Sequence, residues 1–151
     1  MNKKLIEQLY NSRLLRTREE LEEFEESLKE ISKEIQENDI PELCKVFDDQ
    51  TENEEVMFGL IHLIEQFQGS NYMKYIVISS PEMIKAHEWA MTLNKRIINS
   101  SKYFDEYINI INSLDSLHKD KIHHLLIDIK KDNPKKFEEK VKLILERTRY
   151  H

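Results

Sequence analysis

The 151-residue chain is poor in the residues that interrupt helices, since it contains only two glycines and three prolines. Average usage of these residue types is roughly 7% and 5%. Their scarcity argues against a turn-rich all-β fold. It also leaves no glycine-rich phosphate-binding loop, which needs more glycines than the chain has. Because 34% of the residues are charged and the apolar residues recur periodically, the sequence predicts an all-α fold.

Cysteine pairs and long apolar runs are also missing. Cys44 is the only cysteine, so no disulfide can form within the chain, which fits a reducing compartment. No stretch approaches the ~20 apolar residues of a membrane-spanning helix. Glu7 and Gln8 interrupt any apolar signal core behind the two N-terminal lysines. These absences predict a cytoplasmic protein with no membrane partner.

Acidic and basic residues are distributed unevenly along the chain, whose formal net charge is −6. Residues 17–65 carry 17 acids and four bases, a net charge of −13, whereas residues 116–151 carry ten bases and six acids. An acidic front half attracts a basic protein and repels the phosphates of nucleic acid. We therefore expect a basic protein partner and no nucleic acid, although a solvated acidic helix face explains the charge pattern equally well.

Apolar residues recur at helical spacing along most of the chain. After Thr17, a candidate N-cap that Glu20 would complete as a capping box, steps of three and four residues separate Leu21, Phe24, Leu28, Ile31 and Ile35. Residues 72–79 favour a strand by local propensity. No neighbouring segment could pair with them, so we interpret them as a helix. The serines before Pro81 predict the start of the next helix.

About eight helices joined by short loops follow from this pattern, and short loops make successive helices antiparallel hairpins. The units at 40–67, 72–98 and 103–129 have similar lengths. We expect one domain over residues 1–151, built as a short curved array of helical pairs of the HEAT kind or as an irregular bundle. Gly59 lies inside a predicted helix at a cost of about 1 kcal/mol, which indicates the close approach of a neighbouring helix.

No arrangement of residues typical of catalysis or metal binding stands out. The six histidines include no pair at the helical i, i+4 spacing, and the acidic residues 48–55 lack the central glycine of a calcium loop. Cys44 lies on an apolar face, where a buried, inert thiol is expected. Trp89 shares a face with Ala86 and Ala90 and is predicted to belong to the core. We expect no enzyme and assign no catalytic residue, metal ligand or cofactor.

The acidic segment between two predicted helices is the candidate binding site. Residues 48–53 are polar and form a predicted inter-helix turn, with Thr51 or Asn53 as the cap of the helix that follows. Carboxylates here would pair with lysines and arginines of another protein and accelerate association. The predicted partner-binding residues are Asp48, Asp49, Glu52, Glu54 and Glu55.

Several segments together resemble a known family. They are Phe-Asp-Asp-Gln-Thr at 47–51, Glu-Val-Met-Phe-Gly-Leu-Ile-His at 55–62, Ile64-Glu65, Glu88-Trp89-Ala90, Leu93 and Arg-Ile-Ile-Asn at 96–99. On these residues the chain resembles the Immunity protein 30 family of bacterial polymorphic toxin systems over about residues 20–145.

The resemblance implies a mostly helical cytoplasmic protein that is made beside a secreted toxin. Its role would be to bind the toxin's C-terminal effector domain, often a nuclease with a basic active site, and so to protect the producing cell. It carries over no catalytic residues. Two alternatives stay open: a helical-hairpin adaptor with an unrelated intracellular partner, and an enzyme with a dispersed site.

Overall fold

The computed structural model describes residues 2–149, which form helices and no strand. Its nine α-helices are α1 (Lys3–Asn11), α2 (Arg18–Ser32), α3 (Ile40–Cys44), α4 (Glu54–Glu65), α5 (Ser70–Ser79), α6 (His87–Ile98), α7 (Phe104–Asn112), α8 (Ser116–Asp132) and α9 (Pro134–Thr148). Short 3₁₀ helices span Glu37–Asp39, Ser80–Glu82 and Ile84–Ala86. The predicted all-α fold is confirmed. In the described part of the chain, no helix combines the length and apolar character needed to cross a membrane.

Helices two positions apart along the chain pack side by side and form two layers. One layer contains α2, α4, α6 and α8, and the other contains α3, α5, α7 and α9. Consecutive helices such as α3 and α4, or α5 and α6, connect the layers, while α1 packs on α2. The packing fits the predicted array of helical pairs, one of the two architectures that the sequence left open.

The apolar faces predicted from the helical spacing meet between the layers. Phe24 and Ile31 of α2 are fully buried, as are Leu60 and Ile64 of α4. Residues 72–79 lie in α5, where Ile76 is fully buried, so the helical interpretation of that segment is confirmed. Its hydrophobic residues pack on both layers, and this burial overrides their local preference for a strand.

Two single residues also occupy the predicted core. Trp89 is only 8% exposed. Cys44 is 2% exposed, and desolvation by burial raises the pKa of its thiol to about 12. The thiol therefore stays protonated at neutral pH, and a protonated thiol is a poor nucleophile.

The first predicted cap is confirmed in part. The hydroxyl of Thr17 accepts a hydrogen bond from the backbone N–H of Glu20 at 3.1 Å. The carboxylate of Glu20, however, accepts from the N–H of Arg16 at 2.9 Å and pairs with the Arg16 guanidinium. Thr17 therefore caps the helix as predicted. In a capping box the Glu20 carboxylate would accept from the N–H of Thr17, but here it accepts from the N–H of Arg16, one residue earlier.

The predicted start of a helix at Ser80 and Pro81 is wrong. Residues 80–86 form two 3₁₀ turns, and α6 begins at His87. The hydroxyl of Ser80 donates to the carbonyl of Ile76 in the preceding helix, so it does not cap the helix that follows. The first turn of α6 takes its cap from Asp49, which lies in a distant loop.

Gly59 of α4 faces α2, as its position inside a helix predicted. A Cβ atom placed on Gly59 would lie 3.2 Å from Cδ2 of Leu28. This distance is tighter than ordinary van der Waals contact, so glycine allows the two helices to approach closely.

A buried hydrogen-bond network joins α5, α6 and α7. The side-chain amide of Asn94 donates to the hydroxyl of Ser80 and to the carbonyl of Ala90, both at 2.8 Å. Tyr107 donates its phenolic O–H to Oδ1 of Asn94 at 2.8 Å. Burial raises the pKa of Tyr107, so the phenol stays protonated and remains a donor.

We expect Tyr107→Phe to lower the free energy of unfolding by about 1–2 kcal/mol, because the buried oxygen of Asn94 loses its donor. Urea denaturation followed by circular dichroism measures this change. Tyr103→Phe is the matched control, since its hydroxyl bonds Gln68 at an exposed site where water can replace it. Equal losses of unfolding free energy in the two variants would contradict a stabilising role for the buried Tyr107–Asn94 hydrogen bond.

Candidate functional site

The loop between α3 and α4, residues 45–53, is anchored on the turn that follows α1. The carboxylate of Asp48 accepts from Nε of Arg13 at 3.1 Å and from the N–H of Gln50 at 2.9 Å. The N–H of Glu52 donates to the carbonyl of Leu14 at 2.8 Å. Asp48 is only 5% exposed. Its charge is therefore used inside the protein to hold the loop against the turn after α1.

The next residue, Asp49, caps the N-terminus of α6. Its two carboxylate oxygens accept from the backbone N–H groups of Glu88 at 3.0 Å and Trp89 at 3.3 Å. The N–H of Asp49 donates to the carbonyl of Lys85 at 2.9 Å. A carboxylate at this position satisfies two N–H groups that have no partner within the helix, and it interacts favourably with the helix dipole. This contact explains why α6 begins at His87.

Aromatic rings form a contiguous row beneath the loop. Phe47 stacks on Trp89 with 5.7 Å between ring centroids, and Phe58 meets Trp89 edge-on at 6.0 Å. The indole N–H of Trp89 donates to the carbonyl of Asp48 at 3.2 Å. The guanidinium of Arg96 lies 5.1 Å from the centroid of Phe58 and forms a bidentate pair with Glu65. The row packs the loop, α4 and α6 against one another.

An open groove of about 680 Å³ lies between α4 and α6. We call it the acidic groove, and it is lined by Asp49, Glu54, Glu55, Phe58, His62, Glu88, Trp89 and Thr92. Glu54 and Glu55 occupy the first turn of α4, whose N-cap is Asn53: its side chain accepts from the N–H of Val56 at 3.1 Å. The groove therefore combines four carboxylates with two aromatic side chains. Carboxylates pair with lysine and arginine, and aromatic faces attract the same cations.

Three of the five predicted binding residues line the acidic groove: Asp49, Glu54 and Glu55. Glu52 is exposed on the loop beside it. The carboxylate of Asp48 points inward to Arg13 and is buried, so it is not exposed to a partner. Glu88 was not among the predicted binding residues, because it lies outside the acidic segment at residues 48–55. With α6 beginning at His87, Glu88 belongs to the first turn and faces the groove.

Histidine, cysteine, aspartate and glutamate are the side chains that most often bind metal ions. Within residues 2–149, no group of three or more such side chains is arranged to hold a metal ion. The groups that the acidic groove offers are carboxylates, aromatic rings, one imidazole and one hydroxyl. Such groups recognise a cationic surface by charge and by stacking.

A two-layer helical array with an acidic groove built over aromatic rings has the properties of a helical binding protein. Comparison with protein-family models identifies the kind of binding protein, because residues 11–107 match the model of Immunity protein 30. The match covers more than half of the chain, and the chain belongs to the Immunity protein 30 family. Its role is that of an immunity protein. A search of curated proteins and a search of solved structures each gave no significant match.

The matched segment contains the whole of the acidic groove. It begins within α1 and ends within α7, so it includes the loop at residues 45–53 together with α4 and α6. The family resemblance expected from the sequence is therefore confirmed, with a range that starts earlier and ends earlier than residues 20–145. The lysine-rich hairpin of α8 and α9 lies outside the match.

Proposed function

We propose that this immunity protein acts in the cytoplasm by binding the toxic C-terminal domain of a cognate secreted polymorphic toxin, and that the toxic domain is a nuclease with a basic active site. The observation that carries the proposal is the acidic groove, where four carboxylates surround the side chains of Phe58 and Trp89. A nuclease must attract phosphate, so its active site presents the positive charge that this groove would accept.

The proposed binding occurs in two physical stages. The net charge of −13 in residues 17–65 attracts a basic surface over distances of about one Debye length, roughly 8 Å at physiological ionic strength. Short-range contacts then form between basic side chains of the toxin and the exposed carboxylates of Asp49, Glu52, Glu54, Glu55 and Glu88. Charge governs mainly the association rate, whereas buried aromatic contacts govern mainly the dissociation rate.

The same contacts explain how binding would neutralise the toxin. Basic side chains that are paired with carboxylates of the immunity protein cannot hold the phosphates of a nucleic acid. The immunity protein also covers the surface around them. Neutralisation by occlusion requires no chemistry on either protein, in keeping with the assignment of no catalytic residue.

Co-expression tests the proposal. Cells that produce the C-terminal domain of the large secreted protein encoded beside this gene should stop growing, and they should recover when this chain is produced with it. The two products should also co-purify as one complex. Growth arrest without rescue would refute the proposal. If the cells do not recover and the chain instead purifies with an unrelated intracellular protein, the result would support the adaptor alternative.

A further inference from the structure

A second groove lies on the other side of α4, between that helix and α2. Its volume is about 590 Å³. Leu28, Val56 and Leu63 contribute apolar side chains to its lining, and Ser32 lies at its edge at the end of α2. We call it the apolar groove.

Gly59 forms part of the floor of the apolar groove. It lines the groove from the middle of α4, and a Cβ at this position would already lie 3.2 Å from the end of the Leu28 side chain. A larger side chain at position 59 would displace Leu28 or occupy the groove, and either change alters the shape of the groove.

The two grooves belong to one continuous surface. Glu55 and His62, two turns apart on α4, line both of them. Between these residues, Phe58 lines the acidic groove and Gly59 lines the apolar groove. A partner that enters one groove therefore lies beside the other, at a separation of about one helix diameter, roughly 10 Å.

We propose that the toxin domain docks across α4, with an apolar side chain in the apolar groove and a basic side chain in the acidic groove. The proposal rests on the proposed function, because it names the toxin domain as the occupant. Charge complementarity supports this choice, because the linings of the two grooves are mainly acidic. Lys29 is the one lysine or arginine among the lining residues. The lining carboxylates are those of Glu25, Asp49, Glu54, Glu55 and Glu88.

The docking segment of the toxin should therefore combine two kinds of side chain. An apolar side chain and a lysine or arginine about 10 Å apart would fit the two grooves, a spacing that corresponds to about two turns of a helix. The apolar contact excludes water next to the charged contacts, and such exclusion strengthens pairing and slows dissociation.

Ser32→Trp tests the proposal from the rim of the apolar groove. Ser32 is exposed, and its hydroxyl donates to the carbonyl of Lys29 at 2.6 Å. A tryptophan there would cover the groove without replacing a core residue. Ser113→Trp is the matched control, because Ser113 is also exposed, follows a helix and donates to the carbonyl three residues earlier at 2.6 Å. Ser113 lies at the end of α7 and lines neither groove.

The measurement is surface plasmon resonance with the purified C-terminal domain of the neighbouring toxin. We expect Ser32→Trp to raise Kd about tenfold or more, mainly through faster dissociation, and Ser113→Trp to leave Kd within about twofold of the original protein. Gly59→Leu, which fills the groove from its floor, should act like Ser32→Trp. Thermal unfolding of each variant verifies that it is folded at the temperature of the measurement.

Three results would overturn the docking proposal. Folded Ser32→Trp and Gly59→Leu proteins that bind as tightly as the original would remove the apolar groove from the interface. Self-association of the original chain that Ser32→Trp abolishes, seen by light scattering, would assign the groove to a second copy. Absence of any binding by the original protein would refute the proposed function itself, and this result is distinct because it requires no variant.

Discussion

Reversing the charge of Glu54, Glu55 and Glu88 to lysine should slow association with the toxin domain by about 100-fold at low ionic strength. The three carboxylates lie in the first turns of α4 and α6 and line one groove. Their replacement changes attraction into repulsion at the point where the basic surface would dock. Stopped-flow fluorescence at a series of salt concentrations measures the association rate. The difference between variant and original should shrink as salt increases, because salt screens charges on the surface.

A variant with the same net charge provides the control. Glu138, Glu139 and Glu146 are exposed residues of α9, and their replacement by lysine adds the same six units of positive charge far along the chain. We expect this variant to associate much faster than the groove variant. Equal rates in the two variants would show that net charge alone matters, and an unchanged rate in the groove variant would refute the proposed contact surface.

The charge reversals also act on the protein itself. A lysine in the first turn of a helix interacts unfavourably with the helix dipole, by roughly 0.3–1 kcal/mol. Folding should therefore be checked by circular dichroism before the rates are compared. The corresponding glutamine variants separate the two effects, since glutamine removes attraction without introducing repulsion at either the helix or the partner.

Local patterns in the sequence were sufficient to predict most of the helices. Steps of three and four residues place Phe24 and Ile31 on the face of α2 that the core buries, because amphipathic spacing and burial express the same geometry. Thr17 caps the helix that follows it with its own side chain. In these cases the residues that decide the structure lie within one or two helical turns of one another.

The start of α6 could not be derived in this way. Its capping carboxylate, Asp49, is 39 residues before Glu88 along the chain, and only the packing of the loop against α6 brings the two together. A local rule therefore selected the nearest serines and proline. The same non-local contact places Glu88 beside Glu54 and Glu55, although Glu88 lies outside the acidic segment from which the site was predicted.

The acidic loop was predicted as one set of equivalent carboxylates, but the structure divides it by environment. Asp48 is buried against Arg13, Asp49 caps α6, and Glu52 is exposed. Composition identifies an acidic segment and cannot distinguish these environments, since the distinction depends on which side chain finds a partner in the folded chain.

Asp48→Ala should lower the free energy of unfolding by roughly 3 kcal/mol, whereas Glu52→Ala should change it by less than about 0.5 kcal/mol. The side chains of Arg13 and Asp48 are 16% and 8% exposed, so alanine at position 48 leaves a guanidinium with little access to water and without its carboxylate. The N–H of Gln50 loses an acceptor as well. Guanidinium chloride unfolding measures both variants.

A double-mutant cycle assigns the loss to the pair. Arg13→Met keeps the aliphatic volume of the arginine, and if the ion pair carries the effect, Asp48→Ala should cost much less in the Arg13→Met background. The exposed pair of Arg18 and Glu22, whose side chains are 86% and 67% exposed, is the control and should show a coupling energy below about 0.5 kcal/mol. Additive losses for Arg13 and Asp48 would mean that the two side chains stabilise the loop independently. In that case the contact would not explain why Asp48, alone among the predicted binding residues, is directed into the protein.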